Sequence, residues 1–161
     1  MLRLFKLVMD LDSTLIWNDE KKELAEYSFF NLKDGKRIYM RPGFIEFLIY
    51  IQKTFDEIYV YTAAGESYAN DIVNNLFPKN FVKKIWHYTS CTIYDDNVHK
   101  MLESELDDSY TLMIDDRVEV VHLNTHVKDE NFFQITPFYG GRWENFDKSI
   151  LYIRDWKMRK M

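Results

Sequence analysis

LVMDLDSTL (Leu7–Leu15) carries the strongest structural signal in this sequence. The apolar run Leu2–Met9 is interrupted only by basic residues and predicts a buried strand that ends at Asp10. Asp10 and Asp12 lie two positions apart, so at a strand end both side chains can project the same way while Leu11 turns into the core. An acidic pair directly after a core strand therefore predicts a polar site at that edge of a sheet.

Outward from this segment, strand patterns and helix patterns alternate along the chain. Further strands are predicted at Phe29–Leu32, Arg37–Met40, Glu57–Tyr61, Ile85–Tyr94, Tyr110–Ile114 and Phe132–Thr136, and helices after Arg41-Pro42-Gly43 and at Glu66–Phe77, His99–Leu106 and Trp143–Trp156. The first two of these strands flank an Asp-Gly turn and predict a β-hairpin flap, while Ile85–Tyr94 predicts a small β-insertion. The alternation predicts an α/β fold, a three-layer Rossmann-like parallel sheet with helices on both faces.

Composition excludes several classes of protein. With 161 residues, 47% of them apolar, the chain is expected to form a single domain over residues 1–161 rather than a disordered segment. Cys91 is the only cysteine, which excludes a disulfide scaffold. The first residues do not have the pattern of a signal peptide, and no run approaches the roughly 20 apolar residues of a membrane span. We therefore expect a soluble intracellular protein, in the cytoplasm or the nucleus, with no membrane partner.

Polar clusters come directly after three of the predicted core strands. They are Asp10 with Asp12, Thr62 with Ala63, and Asp115 with Asp116. Ligands of parallel sheets bind beyond the carboxyl ends of the strands, so these clusters are expected to converge at one edge. Carboxylates about 4 Å apart repel by about 4 kcal/mol at an effective dielectric near 20, so the gathered aspartates need a cation. Mg²⁺ fits best, because it accepts a few carboxylates and leaves positions for water and phosphate oxygens.

The residues around the acidic clusters suit a phosphoryl group. Thr62 precedes a small-residue turn and a predicted helix, where a hydroxyl and backbone N–H groups can hold a phosphate. Lys100 opens the next predicted helix and would add a fixed positive charge. A cation, a lysine, a hydroxyl and amide groups together are typical of sites for phosphoryl transfer.

Five motifs make this sequence resemble a known family. DLDSTL (Asp10–Leu15) resembles the DxDxT/V signature of the haloacid dehalogenase superfamily of phosphotransferases. RPG (Arg41–Gly43), YTAA (Tyr61–Ala64), VHK (Val98–Lys100) and IDD (Ile114–Asp116) follow in an order and spacing similar to those of its RNA polymerase II C-terminal-domain (CTD) phosphatase branch. The resemblance extends over nearly the whole chain and includes the small members of the branch, which carry no large cap domain.

For catalysis, the resemblance implies roles for three residues of the first motif. Asp10 would be the nucleophile that attacks phosphorus and forms an aspartyl-phosphate. Asp12 would be the general acid that protonates the leaving oxygen and then the base that activates water. Thr14 would support the loop that carries both aspartates.

For binding, the resemblance implies a phosphate site beside a metal site. Thr62 and the amide of Ala63 would bind the phosphate, and Lys100 would neutralise both the nucleophile and the phosphate. The metal would be Mg²⁺, held by Asp10, by the backbone carbonyl of Asp12, and by Asp115 and Asp116.

The length of the segment after the aspartate loop also bears on the substrate. Too few residues separate this loop from Arg41–Gly43 to form a large cap, so the hairpin Phe29–Met40 would be the only roof over the site. An open site favours a phosphorylated polypeptide, and we expect a phosphatase for phosphoserine or phosphothreonine.

Two alternatives remain open from the sequence. One is a phosphatase for nucleic-acid 3′ ends or small phosphomonoesters, although the 26 acidic and 21 basic residues argue against a nucleic-acid partner. The other is a binding module that kept the fold and lost turnover. The motif residues are intact, which argues against this second alternative. The sequence does not predict the oligomeric state.

A few residues have no assigned role. Ser13 and Ala64 stand where the branch usually has other residues, and neither change touches the chemistry. Arg117 either contacts the substrate or pairs with an acid. The aromatic residues Trp17, Tyr27, Phe29 and Phe30 either pack the hairpin and the core or form an apolar wall for the substrate.

Overall fold

A five-stranded parallel sheet forms the centre of the protein. This computed structural model describes residues 3–18, 27–139 and 144–161. In chain order the elements are β1 (Lys6–Met9), β2 (Ile16–Asn18), β3 (Phe29–Asn31), β4 (Arg37–Met40), α1 (Phe44–Thr54), β5 (Glu57–Tyr61), α2 (Glu66–Leu76), β6 (Lys84–Trp86), β7 (Thr92–Tyr94), β8 (Asn97–His99), β9 (Thr111–Asp115), β10 (Phe132–Gln134) and α3 (Asp147–Lys160). The predicted α/β class is confirmed.

The order of strands in the sheet places the aspartate loop at its middle. The order is β10-β9-β1-β5-β6, and every neighbouring pair is parallel. Met9 of β1 is level with Val60 of β5 and with Ile114 of β9. The residues that follow these three strands therefore emerge side by side at one edge, as the sequence predicts.

Two different layers cover the faces of the sheet. Side chains alternate along β1, so Leu7 and Met9 pack in the core with all three α-helices, and Val8 packs in a second core on the other face. That second core is covered by loops and by short 3₁₀ helices at Val118–Val121 and Asp129–Asn131. Connections between parallel strands are right-handed, so the direction of each step across the sheet decides which face its connection covers. The steps from β1 to β5 and from β5 to β6 run in one direction, and their helices lie on one face. The step back to β9 runs in the opposite direction, and its connection lies on the other face.

The predicted hairpin is confirmed and contains one more strand than predicted. β3 and β4 pair around the turn that contains Gly35, whose φ of 91° is accessible to glycine. β2 pairs with the other edge of β4, so the flap is a three-stranded antiparallel sheet. Phe30 packs against the main core, whereas Phe29 remains 43% exposed.

The helix predicted at His99–Leu106 is wrong. His99 ends β8, and the segment from Lys100 to β9 consists of extended chain and turns. Leu102 and Leu106 have helical spacing, but both pack on the second face of the sheet. The backbone N–H of Leu102 donates to the side chain of Asn124 at 2.8 Å instead of entering a helix.

The β-insertion and the last helix are shifted from their predicted positions. The small hairpin consists of β7 and β8, joined by Asp95 and Asp96 with left-handed φ values of 51° and 61°. α3 begins at Asp147, after a turn in which the side chain of Asn145 accepts the Asp147 N–H at 3.0 Å, and it runs past Trp156 to Lys160. The predicted start at residue 143 lies outside the described residues. In the described ranges, no helix combines the length and apolar character needed to cross a membrane.

Candidate active site

Asp10 occupies the centre of the converging strand ends. It follows β1 directly, its N–H donates to the carbonyl of Ile114 at 3.0 Å, and it is 5% exposed. Its Oδ1 accepts a hydrogen bond from Lys100 at 2.9 Å, and its Oδ2 accepts one from Thr14 at 2.9 Å. Burial alone would raise the pKa of Asp10, but the charge and hydrogen bond of Lys100 outweigh it, so the pKa is lowered and the side chain stays anionic.

Lys100 links Asp10 to the second acidic cluster. Its ammonium is fully buried and also donates to Oδ2 of Asp115 at 2.6 Å. Burial would lower the pKa of Lys100, but the two carboxylates outweigh it and raise the pKa above the ordinary value. One positive charge cannot neutralise two buried carboxylates. Burial, followed by the charge of Asp10, therefore raises the pKa of Asp115 well above its usual range.

The side chains of Asp10, Asp115 and Asp116 form a cluster that can hold a cation. One carboxylate oxygen of each lies within 4.8 Å of the others. Oxygen ligands at about 2.1 Å around an octahedral ion are about 3.0–4.2 Å apart, so the cluster is close to the size required. Burial, together with the hydrogen bond and charge of Asp10, raises the pKa of Asp116 to about 6.

Asp12 has a different environment from the three clustered aspartates. Its side chain lines the cavity beside Asp10, and its Oδ1 accepts a 2.7 Å hydrogen bond from the phenol of Tyr68 on α2. Burial raises the pKa of Asp12, the hydrogen bond from Tyr68 opposes the rise, and the charge of Asp10 adds to it. Two carboxylates two residues apart thus have pKa values displaced in opposite directions. This separation is typical of a pair that divides nucleophilic and acid–base roles.

The predicted phosphate-binding residues line the same cavity. It has a volume of about 400 Å³ and is bordered by Asp10, Asp12, Ser13, Thr62, Ala63, Ala64, Asp116 and Arg117. Thr62 follows β5 and is buried, and its hydroxyl accepts the N–H of Ala64 at 3.1 Å. This bond holds the turn before α2 in place. The structure therefore brings together the predicted catalytic, phosphate and metal residues, while their roles stay predictions.

Two residues without a predicted role support this arrangement. Tyr68 fixes Asp12, and no sequence signal distinguishes it from the other tyrosines. Arg41, of the RPG motif, is fully buried, and its guanidinium donates to the carbonyls of Ser13 and Thr14 at 3.1 and 2.7 Å. Its place in the RPG motif is the sequence signal that could have identified Arg41. Arg41 also donates to the carbonyls of Thr136 and Glu144, so it ties the aspartate loop to two distant segments.

Matches to known proteins agree with this geometry. A family model described as NLI interacting factor-like phosphatase matches residues 5–157. The chain belongs to this family. Its membership confirms the resemblance to the CTD phosphatase-like branch of the haloacid dehalogenase superfamily.

Two curated relatives of this chain differ greatly in length. CTD small phosphatase-like protein 2 of Dictyostelium discoideum is 28% identical over 149 residues, which are 82% of this chain and 26% of that protein. A CTD phosphatase-like protein of Invertebrate iridescent virus 6 is 25% identical over 177 residues, which are 92% of this chain and 94% of the viral protein. The chain thus spans about a quarter of the first relative and nearly all of the second.

Two solved structures of the RNA polymerase II CTD phosphatase Fcp1, the first of them from fission yeast, share the fold of this family member. A variant of Fcp1 bound to beryllium fluoride superposes with a TM-score of 0.62 at 21% identity, covering 98% of this chain and 51% of Fcp1. A second Fcp1 structure superposes with a TM-score of 0.62 at 22% identity, covering 98% and 50%. The predicted three-layer fold of the superfamily is confirmed.

Proposed function

We propose that this protein is a Mg²⁺-dependent phosphoprotein phosphatase that hydrolyses phosphoserine or phosphothreonine through an aspartyl-phosphate at Asp10. One observation carries the proposal. The buried, anionic carboxylate of Asp10 contacts Lys100, lies within 4.8 Å of carboxylate oxygens of Asp115 and Asp116, and borders a cavity that Thr62 also lines. A carboxylate suited to nucleophilic attack, a fixed positive charge and a cavity with room for a phosphoryl group thus share one edge of the sheet.

The donor set supports Mg²⁺ as the cofactor. The side chains of Asp10, Asp115 and Asp116 offer hard carboxylate oxygens and no nitrogen or sulfur, the ligand type that Mg²⁺ prefers. The backbone carbonyl of Asp12 would be a further ligand. When bound, Mg²⁺ would neutralise charge on the transferring phosphoryl group.

In the first chemical step, an Asp10 oxygen attacks phosphorus as the bond from phosphorus to the serine oxygen breaks. Asp12 delivers its proton to the departing serine oxygen, and its raised pKa favours the protonated form that this role requires. Lys100 stabilises charge around the nucleophile, and Thr62 with the Ala63 amide holds the phosphoryl oxygens. Serine is released and Asp10 carries the phosphoryl group.

In the second step, water hydrolyses the aspartyl-phosphate. Asp12, now a carboxylate, takes a proton from the water as the water oxygen attacks phosphorus. The bond between phosphorus and Asp10 breaks, which restores the carboxylate and releases inorganic phosphate. Thr14 holds Oδ2 of Asp10 throughout, so the nucleophile returns to its starting position.

An extended polypeptide is the proposed substrate, because no cap domain covers the cavity in the described part of the chain. The relatives are named CTD phosphatases or CTD phosphatase-like proteins, which supports a phosphoprotein substrate. The excess of acidic residues, 26 against 21 basic, disfavours nucleic-acid ends.

The test compares substrates with and without metal. Wild-type protein is assayed on an aryl phosphate, a phosphoserine peptide and a 3′-phosphorylated oligonucleotide, in excess Mg²⁺ and in chelator. We expect Mg²⁺-dependent hydrolysis that favours the peptide, is lost in Asp10→Asn and persists in the exposed control Asp155→Asn. Hydrolysis that survives in Asp10→Asn would refute the aspartyl route. A preference for the oligonucleotide would refute the substrate class, and binding of the peptide without turnover would identify a binding module.

A further inference from the structure

Arg117 is the basic side chain that borders the active-site cavity in the described part of the chain. It follows Asp116 immediately, is half-buried, and lines the cavity with Asp10, Thr62 and Ala63. Its backbone N–H donates to Oδ1 of Asp115 at 3.0 Å, which anchors the residue to the end of β9. Within the ranges that the structure describes, its guanidinium forms no hydrogen bond or ion pair.

The other buried cations of the site are committed to the protein itself. The ammonium of Lys100 donates to Asp10 and Asp115, and the guanidinium of Arg41 donates to backbone carbonyls behind the aspartate loop. Arg117 is therefore the cation that remains available to a ligand. A guanidinium binds a carboxylate or a phosphate through two parallel hydrogen bonds, so an anion is the partner that it fits.

Arg117 is more exposed than the residues proposed to hold the scissile phosphate. Thr62 and Lys100 are 1% and 0% exposed and lie at the base of the site, whereas Arg117 lies at its partly exposed rim. The cavity of about 400 Å³ is within the range that accommodates whole small-molecule ligands, so a phosphoryl group at its base leaves space beside Arg117. A neighbouring group of the same substrate can occupy that space.

We propose that Arg117 is a specificity-determining residue that selects polypeptides with a second anionic group within two residues of the scissile phosphoserine. This inference rests on the proposed phosphatase function. The second anionic group would be an oxyanion on a side chain within those two residues. Either a glutamate or aspartate carboxylate or a second phosphoserine could supply it. The bidentate geometry of arginine, and not its charge alone, gives the recognition its strength.

The test uses matched phosphoserine peptides. One series places Glu or Gln at each position within two residues of the phosphoserine, and the other places phosphoserine or serine there. We expect kcat/KM to be about tenfold or more higher for the anionic member in at least one position, as a bidentate charge-assisted contact provides. The ratio should fall to near one in Arg117→Met, and in Arg117→Glu a Lys-flanked peptide should replace the Glu-flanked peptide as the better substrate. Arg154→Met, on the exposed surface of α3, is the matched control and should keep the wild-type ratio.

The outcomes separate this proposal from the phosphatase proposal. Preference in the second series alone would identify an adjacent phosphate as the source of the anion, and preference in both would identify any anion. A wild-type ratio of one, a ratio unchanged in Arg117→Met, or an equal loss on all peptides would overturn the role of Arg117. Hydrolysis of an aryl phosphate reports the phosphatase function separately. If that activity is absent, the same peptide ratios are measured as equilibrium binding by fluorescence anisotropy, and the reversal in Arg117→Glu still decides the proposal.

Discussion

The ammonium of Lys100 lies 2.9 Å from Oδ1 of Asp10, a residue 90 positions earlier in the sequence, and both side chains are removed from solvent. The same ammonium lies 2.6 Å from Asp115. Removing either member of such a pair would leave the other as an isolated buried charge, which strongly destabilises the folded protein. We therefore expect Lys100 to contribute both to the stability of the fold and to the ionised state of Asp10, the proposed nucleophile.

Replacing Lys100 by methionine should destabilise the protein severely. The substitution keeps an unbranched chain of similar length but leaves Asp10 and Asp115 buried without a counterion. Breaking a buried pair in this way costs about 3–5 kcal/mol. Urea unfolding in the presence of a chelator measures the loss, and Mg²⁺ should restore part of it.

The matched control for Lys100 is Lys148→Met. Lys148 forms a 2.8 Å ion pair with Glu144, but its side chain is 70% exposed. Exposed pairs contribute about 0–1 kcal/mol, so this variant should unfold nearly as the wild type does. Equal losses in the two variants would contradict the importance of the buried pair.

The sequence predicts most of this site because each motif lies at the end of a core strand. Asp10, Thr62 and Asp115 follow apolar runs that are easy to recognise, and parallel strands bring their carboxyl ends together. Tyr68 and Arg41 are different. Their importance comes from hydrogen bonds to residues 56 and 27 positions away, and neither spacing nor residue type reveals such contacts.

The fold departs from the sequence prediction where tertiary contacts replace local preference. Leu102 and Leu106 have the spacing of a helix face. However, the side chain of Asn124 accepts a hydrogen bond from the backbone N–H of Leu102, and the segment is irregular chain with turns. Similarly, the guanidinium of Arg41 donates a hydrogen bond to the carbonyl of Glu144, which lies in non-helical chain before α3. Helix propensity is a weak signal when side chains compete for the same backbone groups.

Replacing Arg41 by lysine tests whether its guanidinium organises the aspartate loop. Burial lowers the pKa of Arg41 to about 10, so the side chain remains charged at neutral pH. Lysine keeps the charge but cannot reproduce the planar fork that donates to Ser13 and Thr14. We expect a loss of about 3 kcal/mol in unfolding free energy, since hydrogen bonds to charged groups contribute about 1.5–3 kcal/mol each. We also expect a lower kcat. Arg154→Lys should change neither quantity, and wild-type stability in Arg41→Lys would contradict this role.

Replacing Tyr68 by phenylalanine tests whether its phenol tunes Asp12. The hydrogen bond from Tyr68 lowers the pKa of Asp12, so its removal should raise that pKa further. The protonated form of Asp12 is the proposed acid, and the rate should therefore decline at a higher pH in Tyr68→Phe than in the wild type. Loss of orientation should also lower kcat about tenfold for a serine phosphate, which needs the proton, and less for an aryl phosphate.

Profiles of rate against pH on both substrates measure the effect of Tyr68→Phe. The control is Tyr152→Phe, whose hydroxyl donates to the carbonyl of Glu130 far from the site and should leave the profile unchanged. An unshifted profile in Tyr68→Phe, or an equal loss on both substrates, would show that Tyr68 acts only through packing.

Mg²⁺ and protons should compete for Asp116. Without metal, the folded-state pKa of Asp116 is about 6, above the usual aspartate value, so between these pH values the folded form binds more protons than the unfolded form. The contribution of Asp116 to the stability of the metal-free protein therefore declines as the pH rises through 6. Bound Mg²⁺ would take the place of the proton, and its stabilising effect should be larger at pH 7.5 than at pH 5.5.

Thermal unfolding with and without Mg²⁺ at both pH values measures this competition. Metal at tenfold excess over its dissociation constant adds about 1.4 kcal/mol, which corresponds to about 3–6 °C for a chain of this size. Asp116→Asn removes a carboxylate ligand and should lose most of the shift at pH 7.5, whereas the exposed Asp155→Asn should keep it. Shifts of equal size at both pH values, or a full shift in Asp116→Asn, would place the metal elsewhere, because a ligand that binds at Asp116 must displace the proton that burial and Asp10 retain there.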